Sequence, residues 1–400
     1  MLSSKASFRL VACRIGAIYR QDLGSLHAYP VGEGQMDISI GLVGSLKLRA
    51  FHMSNFSVNK TLRGWFRKSH PVRTGQRGGV VTNTQYKLSE IIRSLPWVRA
   101  SIWEVRRRFH AIERRVLVGR PVVDGSAIIN DAITRGIPFA AGKMGSIEAA
   151  SLLQYLRRSS TPRRHQAAAA YSPYIFQSLH VNAGVFPKDS ANYDRFCELY
   201  LEAVKSCEAL ALWDVAGEAR IIGAHCPAAT LIRLRDLEPY FLQQPWSHAL
   251  EGKKVLVISP FAASIERQYA RREAVWGARS ILPPFTLMTI RAPLSAALVP
   301  PKHKDWFEAL DYMKACMDGL DYDVALIGAG AYSLPLAAYA KKRNKVGLHL
   351  GGSLQMLFGI VGKRWRANKD FAPLINSAWS PPTAEETPEN CGAVEGGCYW

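Results

Sequence analysis

Apolar residues in this chain fall into short runs separated by longer stretches of helical spacing, and the two kinds alternate from residue 137 to 359. The runs IPFAAGK, LALWDV, KKVLVISPF, FTLMTI, DVALIG and VGLHLG have strand length and are bounded by Gly, Pro or polar residues. Between them SAIINDAITRG, MGSIEAASLLQYLRR and HKDWFEALDYMKACMDGL repeat apolar positions three and four residues apart, the period of a helix buried on one face. Gly136 and Gly319 mark helix ends. Asp189 or Ser190 is placed to cap a helix running to Leu210. Further helices are expected from Ser264 to about Trp276 and over residues 331–342. The stretch 217–241 reads as a strand with a turn and a loop. Alternation of this kind predicts an α/β fold, a Rossmann-like, mainly parallel sheet with helices on both faces. There is no internal repeat and no heptad run.

The front of the chain differs. Residues 1–52 have weak periodicity, Met53 opens a more plausible start, and SHPVRTGQRGGVVTN reads as a basic linker, so residues 1–85 are expected to be a poorly ordered extension. Residues 86–123 carry apolar positions at helical spacing interleaved with Arg, and Pro96 should split them into two basic amphipathic helices. The α/β domain is expected over 124–378. The Pro- and Glu-rich residues 379–400 are expected to be irregular, although Tyr399 and Trp400 are rings seldom left free.

Charge sharpens this division. The net charge is +19, and residues 1–120 hold 21 Lys and Arg against 6 Asp and Glu, leaving only +4 for the rest. The basic front could meet an anionic membrane, an acidic glycan or nucleic acid, the last having no recognition module to support it. No apolar run approaches the roughly 20 residues of a membrane helix, and no signal peptide is expected. Seven cysteines lie far apart without a zinc spacing, which predicts free thiols in a reducing compartment. The expected location is cytoplasmic, with peripheral attachment at the inner membrane face left open.

Candidate chemistry clusters where strands hand over to helices. Gly142, Lys143, Gly145, Ser146 and Glu148 follow the strand IPFAA. The glycines allow a sharp turn, Ser146 can cap, and the first-turn Glu148 can serve as base, sugar ligand or metal ligand. Gly328, Gly330 and Tyr332 follow DVALI, but Leu334 stands where the third glycine of a dinucleotide fingerprint belongs, which counts against NAD. His349, Gly351, Gly352 and Gln355 follow the last strand, and His349 is a candidate acid or base. Ser264 and Gln268 share one helix face after VLVISPF. Arg364 beside Trp365 could grip a phosphate and stack a ring. Asn182 opens a loop, and Asp214, ending an apolar strand, is a further candidate base or acceptor-orienting group. If these turns meet along one sheet edge, they form a pocket for a pyrophosphate.

The segments GKMGSIEA, NAGVFP, GKKVLVISPF, DVALIGAGAYSLPLAAYAK, HLGGSLQMLFGIVGKRW and VEGGCYW resemble uncharacterised proteins encoded among surface-polysaccharide genes. Their plan is remotely similar to GT-D type glycosyltransferases over residues 137–400. The resemblance implies a nucleotide-sugar donor, a glycan or lipid-linked acceptor, and a transferase of polysaccharide biosynthesis. In that family an R-F-G-D-G-E motif holds a metal through D-x-E. Here Glu148 matches the glutamate, while Ser146 or Ile147 stands in place of the aspartate. Participation of a divalent metal therefore stays open. So does a non-catalytic nucleotide- or glycan-binding role, which the missing aspartate favours.

Overall fold

The computed structural model describes residues 108–162, 170–295, 299–300 and 302–400, together with three strands nearer the N-terminus. The chain divides into two compact units, Met1–Gln85 and Tyr86–Trp400. In the first, strands β1 (Ser25–Pro30), β2 (Met36–Gly41) and β3 (Leu46–Arg49) pair antiparallel in that order. This antiparallel sheet lies where a poorly ordered extension was expected. The expected break at Pro96 lies outside the described residues, and the described remainder of that segment is helical over 108–117.

The second unit is an eight-stranded sheet in which every pairing is parallel. Its strands are β4 (Val122–Val123), β5 (Phe139–Gly142), β6 (Ala209–Leu212), β7 (Thr230–Arg233), β8 (Lys254–Ser259), β9 (Thr286–Arg291), β10 (Val324–Ile327) and β11 (Val346–His349). Their spatial order is β4-β7-β6-β5-β11-β10-β8-β9. The chain runs outward from β5 through β6 to β7, crosses to β8 and β9, then returns to fill the gap with β10 and β11. The first long strand and the last thus become neighbours at the centre.

Side-chain alternation builds a core on each face. Val324 and Leu326 of β10 join one apolar cluster, and Ala325 and Ile327 join the other. β8 divides likewise, with Val255 and Val257 on one side and Leu256 and Ile258 on the other. Both faces are covered, so the strands are continuously apolar. One core takes α2 (Ser146–Ser159), α3 (Pro173–Val181), α4 (Ser190–Lys205), α8 (Trp306–Asp318) and α9 (Ser333–Lys342). The other takes α1 (Gly125–Arg135), α6 (Ala262–Tyr269), α7 (Arg272–Trp276), α10 (Ser353–Leu357) and α11 (Lys363–Arg366). Among the described residues no helix is long and apolar enough to cross a membrane.

Several boundaries differ from the sequence expectation. Asp189 caps α4 by accepting the Asn192 N–H at 2.9 Å, but the helix stops at Lys205, because residues 209–212 are spent on β6. Residues 218–225 form a helix, α5 (Glu218–His225), where a strand and turn were expected. α3 was not anticipated, despite Ser172 at its N-cap and Pro173 in its first turn. The single helix expected from Ser264 is two, α6 and α7. The tail forms 3-10 turns and is packed down, with Glu386 fully buried.

The central approach of helix and sheet depends on Gly347 in β11. A Cβ there would lie 2.3 Å from the Ala337 carbonyl oxygen of α9, and backbone cannot move aside as a side-chain tip can. Gly347→Ala should therefore cost at least about 2 kcal/mol in denaturant unfolding. Gly392→Ala, where no atom lies within 4 Å of the added carbon, should stay within about 0.5 kcal/mol.

Candidate functional site

Three of the expected turns meet at the centre of the sheet edge. In the parallel register Ile327 pairs with His349, and Ala141 pairs with Leu348, so β5, β10 and β11 end together. A Cβ on Gly142 would lie 2.6 Å from Cβ of His349, and one on Gly328 would lie 2.7 Å from the Gly351 carbonyl oxygen. These glycines are required because neighbouring turns press on one another. Gly352 is likewise crowded, by the rings of Trp365 and Tyr399. Gly330 and Gly351 have φ of 58° and 59°, the left-handed conformation that glycine adopts without strain.

α2 starts beside this junction. Gly145 is its N-cap and offers no side chain, so the first-turn N–H groups have only local partners. The Glu148 carboxylate folds back over Gly145, where a Cβ would lie 1.9 Å from one of its oxygens. Burial raises the Glu148 pKa above the ordinary carboxyl value, opposed by its own backbone N–H and by Lys143, while Glu395 adds to the rise. The Tyr200 hydroxyl faces the Gly145 backbone from α4.

Lys143 is the centre of the arrangement. Its ammonium stands 3.8 Å above the ring of Trp213, which follows β6. Among the described residues the ammonium forms no ion pair within 4.0 Å, and burial and longer-range charges are what act on it. Burial lowers its pKa, while the more distant Glu238, Glu148 and Glu218 oppose the fall. Those carboxylates are held elsewhere. Glu218 accepts the backbone N–H groups of Trp213 and Asp214, at 3.1 and 2.7 Å. Glu238 accepts from Ser353 at 3.0 Å and from Arg235 at 2.9 Å. A second cation, Arg364, pairs with Glu395 and lies 4.7 Å from the Tyr399 ring. Its charge also depresses the Lys143 pKa, so the two cations share one field.

His349 is buried beside Lys143, and its Nδ1 has no hydrogen-bond partner. Burial and the Lys143 charge push its pKa down to about 3. The ring is therefore held neutral near pH 7. Gln355 gives its Nε2 hydrogen to the Tyr399 carbonyl at 3.1 Å, leaving Oε1 unpartnered.

Other expected site residues are committed to structure. Asp214 has φ of 53° and is paired with Arg114 at 2.9 Å, so its carboxylate anchors residues 108–117 to the sheet edge. Tyr332 stacks on Trp306 with ring centroids 4.7 Å apart and meets Ser295 at 3.2 Å. Trp365 is buried against Phe371 rather than presented for stacking. Asn182 is the C-cap of α3. The N-terminus of α6, where Ser264 was expected to receive a ligand, is filled by the chain itself. Glu386 accepts the Ala263 N–H at 2.9 Å and also the Ser264 hydroxyl. Gln268 bonds the Gly359 and Ala378 carbonyls, each at 3.0 Å. Trp213, Glu218, Glu238 and Glu395 were not singled out from the sequence, and Tyr399 was noted only as a ring seldom left free. Only Trp213, adjoining Asp214 at a strand end, carried a local signal.

Among the described residues no three His, Cys, Asp or Glu side chains are grouped to hold a metal ion. The polar inventory of the junction is two cations, one carboxyl with raised pKa, a neutral imidazole and a helix N-terminus, which together suit an oxyanion.

Burial raises the Glu218 pKa from 4.5 to about 7. Between those values the folded chain holds a proton that the unfolded chain has lost, so this group's contribution to stability falls as pH rises. The stability of Glu218→Gln relative to the parent should therefore improve by about 2–3 kcal/mol between pH 4.5 and 7.5, read by denaturant unfolding at each pH. Compared with known proteins, the chain matches no family model, no curated sequence and no solved structure.

Proposed function

We propose that the junction of β5, β10 and β11 binds the diphosphate of a nucleotide-sugar, and that the protein transfers the sugar to a hydroxyl of a glycan or lipid-linked acceptor. The observation that carries this reading is the half-buried Lys143 ammonium at the carboxyl edge of a parallel sheet, stacked on Trp213 and lacking a hydrogen-bond acceptor among the described residues. Ligand crevices of open α/β sheets lie at that edge. A cation partly desolvated there gains more from an incoming anion than one in water.

The chemistry follows from placement. The bond between the sugar's anomeric carbon and the diphosphate oxygen breaks, and its electron pair leaves with the diphosphate. Lys143 and Arg364 stabilise the charge that develops on that oxygen. The acceptor hydroxyl forms the new bond and gives its proton to the Glu148 carboxylate. A carboxylate with a raised pKa is a better base than one in water. His349, held neutral, can orient a hydroxyl without adding charge.

Binding alone is the second reading, and the incomplete acidic motif at Ser146-Ile147-Glu148 favours it. Calorimetry with uridine and guanosine diphosphates, followed by product detection with the corresponding sugar nucleotides, separates the two. Lys143→Ala should weaken nucleotide binding by about 10- to 100-fold. Glu148→Gln should retain binding and lose about 10²- to 10⁴-fold in turnover. The acid limb of the parent's kcat/KM profile should lie above pH 4.5, the ordinary value for a glutamate. Nucleotide binding without turnover would leave the binding role. Absence of binding to any nucleoside diphosphate would remove both.

A further inference from the structure

The C-terminal segment crosses the same junction, and its two kinds of contact differ. Both ends of residues 391–397 are fastened. On one side Glu386 is fully buried and caps α6 through Ala263 and Ser264. On the other, the Tyr399 carbonyl accepts from Gln355 at 3.1 Å, the Cys398 carbonyl accepts the Arg364 N–H at 3.0 Å, and the Trp400 carbonyl accepts the Lys363 N–H at 3.0 Å. The Trp400 indole N–H donates to the Glu386 carbonyl at 2.8 Å, tying one fastening to the other.

Between them the chain is held lightly. Val394 is the one buried side chain among residues 391–397. Glu395, Gly396 and Gly397 have φ of 48°, 73° and 75°, three successive left-handed residues, of which Glu395 carries an unfavourable Cβ. The Glu395 carboxylate is held by Arg364 and also accepts the Cys398 thiol at 3.4 Å. An anionic group of the chain itself thus occupies a cation that shares the field around Lys143.

We propose that residues 391–397 are a displaceable cover of the diphosphate site, with Glu395 holding Arg364 until a donor's diphosphate takes that guanidinium. This rests on the nucleotide-sugar reading of the junction. When diphosphate displaces Glu395, the two glycines let the loop relax outward while Glu386, Tyr399 and Trp400 stay pinned. The cover then closes again as the diphosphate leaves.

The test uses the full chain, with inorganic pyrophosphate and uridine diphosphate as probes. Glu395→Gln should bind both about tenfold more tightly than the parent, and the gain should vanish in an Arg364→Ala background. In the parent, either probe should speed cleavage by a Glu-specific endoproteinase at the Glu395–Gly396 bond several-fold. Equal affinities of parent and Glu395→Gln would overturn the cover, as would unchanged or slowed cleavage with probe bound. In both cases, binding that is still weakened by Lys143→Ala would leave the site reading standing. Tighter binding of Glu395→Gln with unchanged cleavage would reduce Glu395 to an electrostatic neighbour and also overturn the cover. If neither probe binds the parent or any variant, the site reading falls and the cover falls with it.

Discussion

An ammonium partly removed from water without a hydrogen-bond acceptor carries a desolvation cost, and half-buried Lys143 bears it at the centre of the sheet edge. Three features make it tolerable. The Trp213 ring supplies a negative face at contact distance. Glu238 and Glu148, and Glu218 once it ionises near pH 7, supply negative charge at longer range. The lowered pKa means that part of the cost can be relieved by losing the proton. Each feature depends on a different part of the chain, so the position of Lys143 is an outcome of the whole topology. Trp213 is fixed by the Glu218 carboxylate at the start of α5, and Glu238 by Ser353 at the start of α10. Loss of any one would leave the cation less compensated, which is why the carboxylates are themselves hydrogen-bonded.

The glycines around Lys143 serve a purpose other than the one their pattern suggests. A Gly-rich turn after a strand reads as a phosphate cradle, in which backbone N–H groups face a ligand. At Gly142, Gly328 and Gly352 the missing Cβ instead admits a neighbouring turn, His349, Gly351 and the Trp365–Tyr399 pair respectively. Crowding three turns together draws the strand ends inward around Lys143. The positive character of the junction thus comes from its two cations and the start of α2, with the glycines acting through packing.

What the sequence disclosed follows from the range over which each interaction acts. Strands buried on both faces are unbroken apolar runs, so β5, β6, β8, β10 and β11 were readable without partners. Lys143 and Glu148 were readable because they flank one local turn. α5 was obscured by its length of 8 residues and by Gly223, a residue used for close approach to Leu117, where a Cβ would lie 2.8 Å from the carbonyl oxygen. α3 is apolar around most of its circumference and shows little period. Ser264 and Gln268 looked like ligand residues because a helix start after a strand has the same local form whether it binds a ligand or the chain. The carboxylate that fills it lies 122 residues further on, a separation no local pattern reports. Glu238 reaches Ser353 by a return of similar length, 115 residues.

The tail therefore brings two carboxylates to two positively polarised places, and their surroundings give them opposite character. Glu386 is wholly excluded from water and bonded to an N–H and a hydroxyl of α6, so removing it would strand both donors in the interior. Glu395 and Arg364 have side chains 43% and 34% exposed. An ion pair with that much access to water is worth about 0–1 kcal/mol, less than a doubly charged diphosphate gains from the same guanidinium with Lys143 beside it. Glu386 is thus fixed in place, and Glu395 is held by a contact that a stronger anion can replace. The left-handed backbone at Glu395 weakens that hold further, since the loop is freed from an unfavourable conformation as the pair opens.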